Sequence, residues 1–218
     1  MNKIDARLII FDLDGTLIDS KRDIAYAVNE MLKRMDLRPI EPGKIYGYVG
    51  NGVRPLIEQT LAQNGMSADI PTAIDHFREL YIKHLLDTTV MFDGVKEVLD
   101  HFQKSKIMAV ASNKPIRYVK KIVDGLGMTG YFTAIKGGDD VEMKKPAPEM
   151  LNAIMEETSI GRESCVFVGD SGVDIRTGKN AGVKTVGVTY GFRPVEEIVE
   201  NEPDLLVDSP LQLKEIIR

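Results

Sequence analysis

Apolar residues recur along the chain in short, nearly unbroken runs at 8–11, 107–111, 132–135, 166–168, 185–188 and 205–207, rich in Val, Ile and Leu. Continuity rather than alternation is the pattern of strands covered on both faces, as in a parallel sheet. Between most of these runs the period changes. Val95, Val98, Leu99 and Phe102 fall on one helical face, and helices also fit 118–126, 148–157, 174–181 and 195–200. Strands alternating with helices of this length predict an α/β fold, a doubly wound parallel sheet with a Rossmann-like core.

One interval breaks the alternation. From Asp19 to about Met91 no strand is evident, and amphipathic helices fit 22–35, 52–63 and 71–86. A stretch of about 70 residues is too long for a simple crossover loop. The pattern predicts an α-helical cap, residues 19–91, inserted into a catalytic core made of 1–18 and 92–218. Ligands of open α/β sheets bind beyond the carboxyl ends of the strands, so an insertion leaving the first strand would cover that crevice, with hinges near 19–20 and 92–94.

Lys and Arg total 28 against 33 Asp and Glu, a net charge of −5, which argues against a broadly basic nucleic-acid or membrane-surface binder. One Cys cannot form an internal disulfide, and Cys165, opening an apolar run, reads as an inert core thiol. The N-terminus lacks a secretory h-region, and no apolar run approaches the ~18 residues of a spanning helix. The expectation is a soluble, cytoplasmic protein, a monomer or homodimer, with no nucleic-acid or membrane partner. Gly125 to Gly130 matches a dinucleotide fingerprint by letters but ends a helix and precedes a strand, the reverse of the required order. Gly172 to Lys179 fails as a P-loop by spacing and by Asn180 in place of Ser or Thr. His76, His84 and His101 lie in helical patterns with no catalytic partner in view.

The chemistry gathers at the strand ends. Run 8–11 leads straight into Asp12, with Asp14 two residues on and Gly15 marking a turn. Alone, the pair would suit a turn or a helix cap. Run 166–168 ends the same way, in Gly169, Asp170 and, four residues later, Asp174. Two buried strands each delivering two carboxylates to one sheet edge call for a cation, and all-oxygen ligands suit Mg²⁺. Run 107–111 ends in Ser112, Asn113 and Lys114, a hydroxyl and amide donors. Lys145 precedes Pro146 at a helix start, against the dipole preference, which an anion at the sheet edge would explain, whereas Lys144 reads as exposed. Anionic oxygens, a divalent cation and a nucleophilic carboxylate together point to phosphoryl transfer.

These motifs resemble those of the haloacid dehalogenase superfamily in order and type: Asp12-Leu-Asp-Gly-Thr-Leu, Ser112-Asn-Lys-Pro, Lys145-Pro and Gly169-Asp-x-x-x-Asp174. The helical insertion looks like that family's first type of cap. The resemblance implies Asp12 as the nucleophile forming an aspartyl-phosphate and Asp14 as general acid and base. The family's dehalogenases lack the second Asp, so Asp14 implies phosphate chemistry. Mg²⁺ would be held by Asp12, the Asp14 carbonyl and Asp170 with Asp174 in support, and the phosphoryl group by Ser112 and Lys145, with Asn113 and Thr16 assisting.

The cap would set the substrate. Around Tyr48 to Leu56 a glycine-rich turn opens a helix, and the backbone N–H groups of Gly50, Asn51 and Gly52, with Arg54, are candidates to receive an anion. This turn resembles the cap loop of phosphoglycolate phosphatases, as does the tail from Val188 to Arg193 and from Glu202 to Asp208. The resemblance implies a small phosphorylated metabolite, phosphoglycolate first, whose carboxylate would suit the turn. Pyrophosphatase and phosphosugar mutase or phosphatase activities are the alternatives within the superfamily. A phospho-acceptor signalling module is the alternative of another class, and the helical insertion and Asp14 count against it.

Overall fold

The computed structural model describes residues 3–65 and 69–218. The chain opens with β1 (Leu8–Phe11) and β2 (Ile18–Asp19), then helices α1 (Lys21–Arg34), α2 (Pro42–Tyr46), α3 (Val53–Gln63) and α4 (Ile70–His84), and returns through β3 (Val90–Met91). There follow α5 (Val95–Phe102), β4 (Ile107–Ala111), α6 (Ile116–Gly125), β5 (Ala134–Lys136) and α7 (Glu149–Thr158). The chain ends with β6 (Cys165–Gly169), α8 (Gly172–Ala181), β7 (Lys184–Val188), α9 (Val195–Glu200), β8 (Leu205–Val207) and α10 (Leu213–Ile216).

Six strands form one sheet in the order β5-β4-β1-β6-β7-β8, every pairing parallel. The expected doubly wound α/β fold is therefore present. Side chains alternate across β1, where Ile9 and Phe11 join a core that includes α5, α6 and α10, while Leu8 and Ile10 pack with Met150, Leu151 and Ile154 of α7. All four β1 residues are buried because helices cover both faces. From β1 the chain winds outward through β4 and β5, then crosses back to β6 and winds the other way. The switch point is the boundary between β1 and β6, where the ligand crevice of such sheets forms.

Helix α4 packs on both α1 and α3, with Met31, Leu32, Leu61, Phe77 and Leu80 in the shared core. Asp23, buried near the start of α1, accepts bonds from the backbone N–H and hydroxyl of both Thr88 and Thr89, at 2.6–3.0 Å. That carboxylate ties the first helix of the segment to the strand that leaves it. Strands β2 and β3 pair antiparallel, Ile18 opposite Met91 and Asp19 opposite Val90, so the outgoing and returning chains cross together. This ribbon and α2 were not expected. Each is too short to show a period. The run at 132–135 pairs only from Ala134, because β4 offers Ala109 as its first ladder partner there. Among the described residues no helix is long and apolar enough to cross a membrane.

Candidate active site

Register levels the ends of the central strands. Phe11 stands opposite Val110 on one side and Val168 on the other, and the Asp12 N–H donates to the Val168 carbonyl at 2.9 Å. Asp12, Ser112 and Asp170 therefore emerge from three adjacent strand ends, and all are buried. Asp174 arrives one turn into α8, where Ser171 caps the helix: the Asp174 N–H donates to Ser171 Oγ, while Ser171 Oγ and N donate to Asp174 Oδ2 at 2.6 and 3.1 Å. Asp12, Asp170 and Asp174 each bring an oxygen within 4.8 Å of the others.

One lysine answers two of these three carboxylates. Lys145 Nζ donates to Asp12 Oδ1 at 2.7 Å, to Asp174 Oδ1 at 2.7 Å and to the Ala111 carbonyl at 3.0 Å. Burial works against its charge, yet Asp12 and Asp174 hold its pKa above the ordinary lysine value. Burial pushes Asp12 up to about 7, with Asp174 adding to the rise and Lys145 opposing it. Burial also raises Asp170 well above the usual carboxylate range, helped by Asp174 and Asp12, while the Phe192 N–H bonded to Oδ2 at 2.7 Å works the other way. A buried group of anions this short of positive charge is the donor chemistry of a divalent cation site. The backbone is shaped to match. A Cβ on Gly15, whose φ is +87°, would lie 2.1 Å from Asp170 Oδ2, so only glycine lets the first loop come this close.

Asp14 lies in a second cluster. Its Oδ1 accepts from Lys114 Nζ at 2.6 Å and from the Ser20 hydroxyl, and Lys114 also donates to the Tyr81 hydroxyl at 2.7 Å. Burial disfavours the Lys114 charge, but Asp14 and Tyr81 keep its pKa above the ordinary value. A cavity of about 40 Å³ is lined by Asp12, Asp14, Ser112 and Lys114 from the sheet edge and by Gly50, Gly52, Leu56, Phe77 and Tyr81 from the helical segment. It holds only a few water-sized volumes, at roughly 10–15 Å³ each.

The structure sorts the residues expected from sequence. Asp12, Ser112, Asp170, Asp174 and Lys145 converge, and the Asp14 side chain stands apart from the three-carboxylate group. Lys145 was expected to hold a phosphoryl group; here its three N–H groups lie on Asp12, Asp174 and the Ala111 carbonyl. Asn113 was expected to assist substrate binding. It lines the cavity, but its amide nitrogen donates to the carbonyls of Gly50 and Lys145 at 3.1 Å each and its oxygen accepts from the Lys145 N–H at 3.0 Å. With both N–H groups used, it is a brace between loops. Gly50 and Gly52 line the cavity and the half-buried Asn51 between them does not. Arg54 lies apart from this cavity: its side chain is exposed, pairs with Glu58 at 2.8 Å and lines a separate cavity. Thr16 is buried, and among the described residues its hydroxyl has no partner. Lys144 is exposed, as expected.

Four contributors were given no role by the sequence reading. Lys114, like Lys145, stands directly before a proline, here Pro115, which caps α6, whereas Lys145 precedes Pro146 and α7 opens only at Glu149. Tyr81 sits on the apolar face of α4 and announces nothing of its hydroxyl. Arg193 donates to the Val49 carbonyl at 2.6 Å and to that of Gly47, while Tyr190 donates to the Thr16 carbonyl at 3.0 Å. The 188–193 tail thus clasps both the first loop and the glycine turn.

Comparison with known proteins bears on this arrangement. Residues 9–188 match the haloacid dehalogenase-like hydrolase family. The phosphoglycolate phosphatase of Vibrio parahaemolyticus is 34% identical over 224 residues, covering 100% of this chain and 98% of its own. That of Pseudomonas fluorescens strain Pf0-1 is 38% identical, covering 93% of this chain and 76% of its own. Among solved structures, a predicted phosphoglycolate phosphatase from Haemophilus somnus superposes with a TM-score of 0.92 at 28% identity, covering 97% of each chain.

Proposed function

From the premise that the chain belongs to the haloacid dehalogenase-like hydrolases, we propose that it is a Mg²⁺-dependent phosphatase acting on phosphoglycolate through an aspartyl-phosphate on Asp12. The observation that carries this reading is Asp12 itself, buried at the end of β1 and gripped by Lys145 through Oδ1 at 2.7 Å beside two further buried carboxylates. The relatives' shared activity supports the substrate.

Asp12 attacks the phosphorus atom, and the bond from phosphorus to the glycolate oxygen breaks. Asp14, as general acid, gives a proton to that oxygen, and glycolate leaves. Water then attacks the phosphorus of the aspartyl-phosphate, Asp14 takes its proton, and the bond to Asp12 breaks to release inorganic phosphate. Each such proton transfer is typically worth 10²–10⁴-fold. Ser112, whose hydroxyl among the described residues accepts only from the Lys114 N–H, has its own hydrogen available for a phosphoryl oxygen. Asp12, Asp170 and the Asp14 carbonyl would hold Mg²⁺, with Asp174 supporting. When bound, the ion offsets the repulsion between a carboxylate and a phosphate dianion. Residues 19–91 act as a cap that excludes water from this chemistry, hinged at the β2–β3 ribbon.

The test is phosphate release from phosphoglycolate, pyrophosphate, a sugar phosphate and an aryl phosphate, with Mg²⁺ and with EDTA. Preferential Mg²⁺-dependent turnover of phosphoglycolate is expected. Equal slow turnover of all four would refute the substrate, and undiminished turnover in EDTA would refute the metal.

A further inference from the structure

The two buried lysines of the site differ in how many of their donors are occupied. An ammonium group has three N–H donors. Lys145 places all three on Asp12, Asp174 and the Ala111 carbonyl. Lys114 has two partners, Asp14 Oδ1 and the Tyr81 hydroxyl, so one N–H remains unused. The Tyr81 hydroxyl, in turn, is an acceptor in that bond. Among the described residues nothing receives its hydrogen, although the side chain is only 1% exposed. Two unused donors, 2.7 Å apart, thus line one small cavity whose other walls from the helical segment include the apolar Ile24, Val53, Leu56 and Phe77 beside the Gly50–Gly52 turn. Among the residues lining that cavity Lys114 is the one cation, and Arg54 lies outside it.

A buried hydroxyl hydrogen without an acceptor and an ammonium N–H without a partner each carry a cost that a ligand would relieve. An anion with two oxygens on one carbon matches two adjacent donors, and the apolar walls would accept a methylene but repel further polar groups. The geometry points to Lys114 and Tyr81 as the pair that binds the carboxylate of the substrate and so sets specificity. This rests on the phosphatase reading above and moves the recognition of the second anion from the glycine turn to the strand-end lysine and a helix of the cap. Because Tyr81 belongs to α4 and Lys114 to the loop after β4, the carboxylate bridges the helical segment and the sheet.

The experiment compares phosphoglycolate with ethyl phosphate, in which a methyl group replaces the carboxylate, in the full-length protein with Mg²⁺. The readout is the ratio of the two kcat/KM values, so any loss common to both substrates cancels. Wild-type protein should favour phosphoglycolate by on the order of 10⁴-fold, the scale at which a site built to hydrogen-bond a group rejects the analogue lacking it. Tyr81→Phe, which leaves the Lys114–Asp14 pair in place, should cut that ratio about tenfold, chiefly through KM for phosphoglycolate. Lys114→Met should remove the preference almost entirely. Should Lys114→Met fail to fold for want of a partner to Asp14, Tyr81→Phe decides alone. A preference that survives unchanged in Tyr81→Phe overturns the assignment while leaving the phosphatase standing. Wild-type protein that turns over both esters equally also overturns it. Wild-type protein that releases phosphate from neither removes the phosphatase reading itself.

Discussion

Asp12 ends a strand in which every residue is buried, and its charge is stable there only through what surrounds it. Burial raises its pKa from 3.8 to about 7, and Asp170 moves the same way for the same first cause. A carboxyl whose pKa is raised by folding keeps its proton where the unfolded chain has lost its own. Between about pH 4 and pH 7 the folded state then binds more protons, and stability falls as pH rises through that window. Thermal denaturation of EDTA-treated protein should show Tm dropping across that range, and dropping less in Asp12→Asn. A Tm that rises through it would contradict the account. Gly15 is constrained from the other side. In Gly15→Ala the new methyl would displace the Asp170 carboxylate, and a displacement of about 1 Å in a catalytic constellation costs on the order of 10²-fold in rate. Steady-state kinetics would check this, and turnover within twofold of wild type would contradict it. Sequence could mark Asp12 and Gly15 because a charge and a turn after a buried run are visible in letters. It could not show that Lys145 has no donor left or that Lys114 has one, because donor counts exist only once the partners are placed.

At the level of elements, the helical segment depends on one carboxylate. Asp23 satisfies four donors on Thr88 and Thr89, and removing it leaves those groups buried without partners. Asp23→Ala should cost about 3 kcal/mol of stability, read as a lowered midpoint in chemical denaturation. A loss under about 0.5 kcal/mol, the scale of a surface substitution, would show that the tie is not needed. The strands at 8–11 and 107–111 were legible because burial on both faces makes a run continuous, and α5 because its apolar face repeats over two turns. The β2–β3 ribbon was not, since two residues carry no period and its pairing joins positions more than 70 apart. The outward position of Arg54 was hidden for a related reason. A helix start fixes where a residue lies along the chain, but the face it occupies depends on how α3 packs on α4.

The whole molecule brings together strand ends that lie far apart in sequence, and winding the sheet in opposite directions from β1 and β6 is what opens the crevice there. Its carboxylates should bind Mg²⁺ in the folded state alone, which raises stability by about 2.7 kcal/mol at a hundred times the Kd. Differential scanning calorimetry should show Mg²⁺ raising Tm in wild-type protein and raising it far less in Asp170→Asn. An equal shift in both would place the ion elsewhere. The central claim is that Asp12 carries the phosphoryl group. Phosphate release from phosphoglycolate should therefore be measured side by side for wild type and Asp12→Asn, both with saturating Mg²⁺ and both verified as folded. The account predicts turnover in the wild type and none detectable in Asp12→Asn. Turnover by Asp12→Asn at a substantial fraction of the wild-type rate would contradict it.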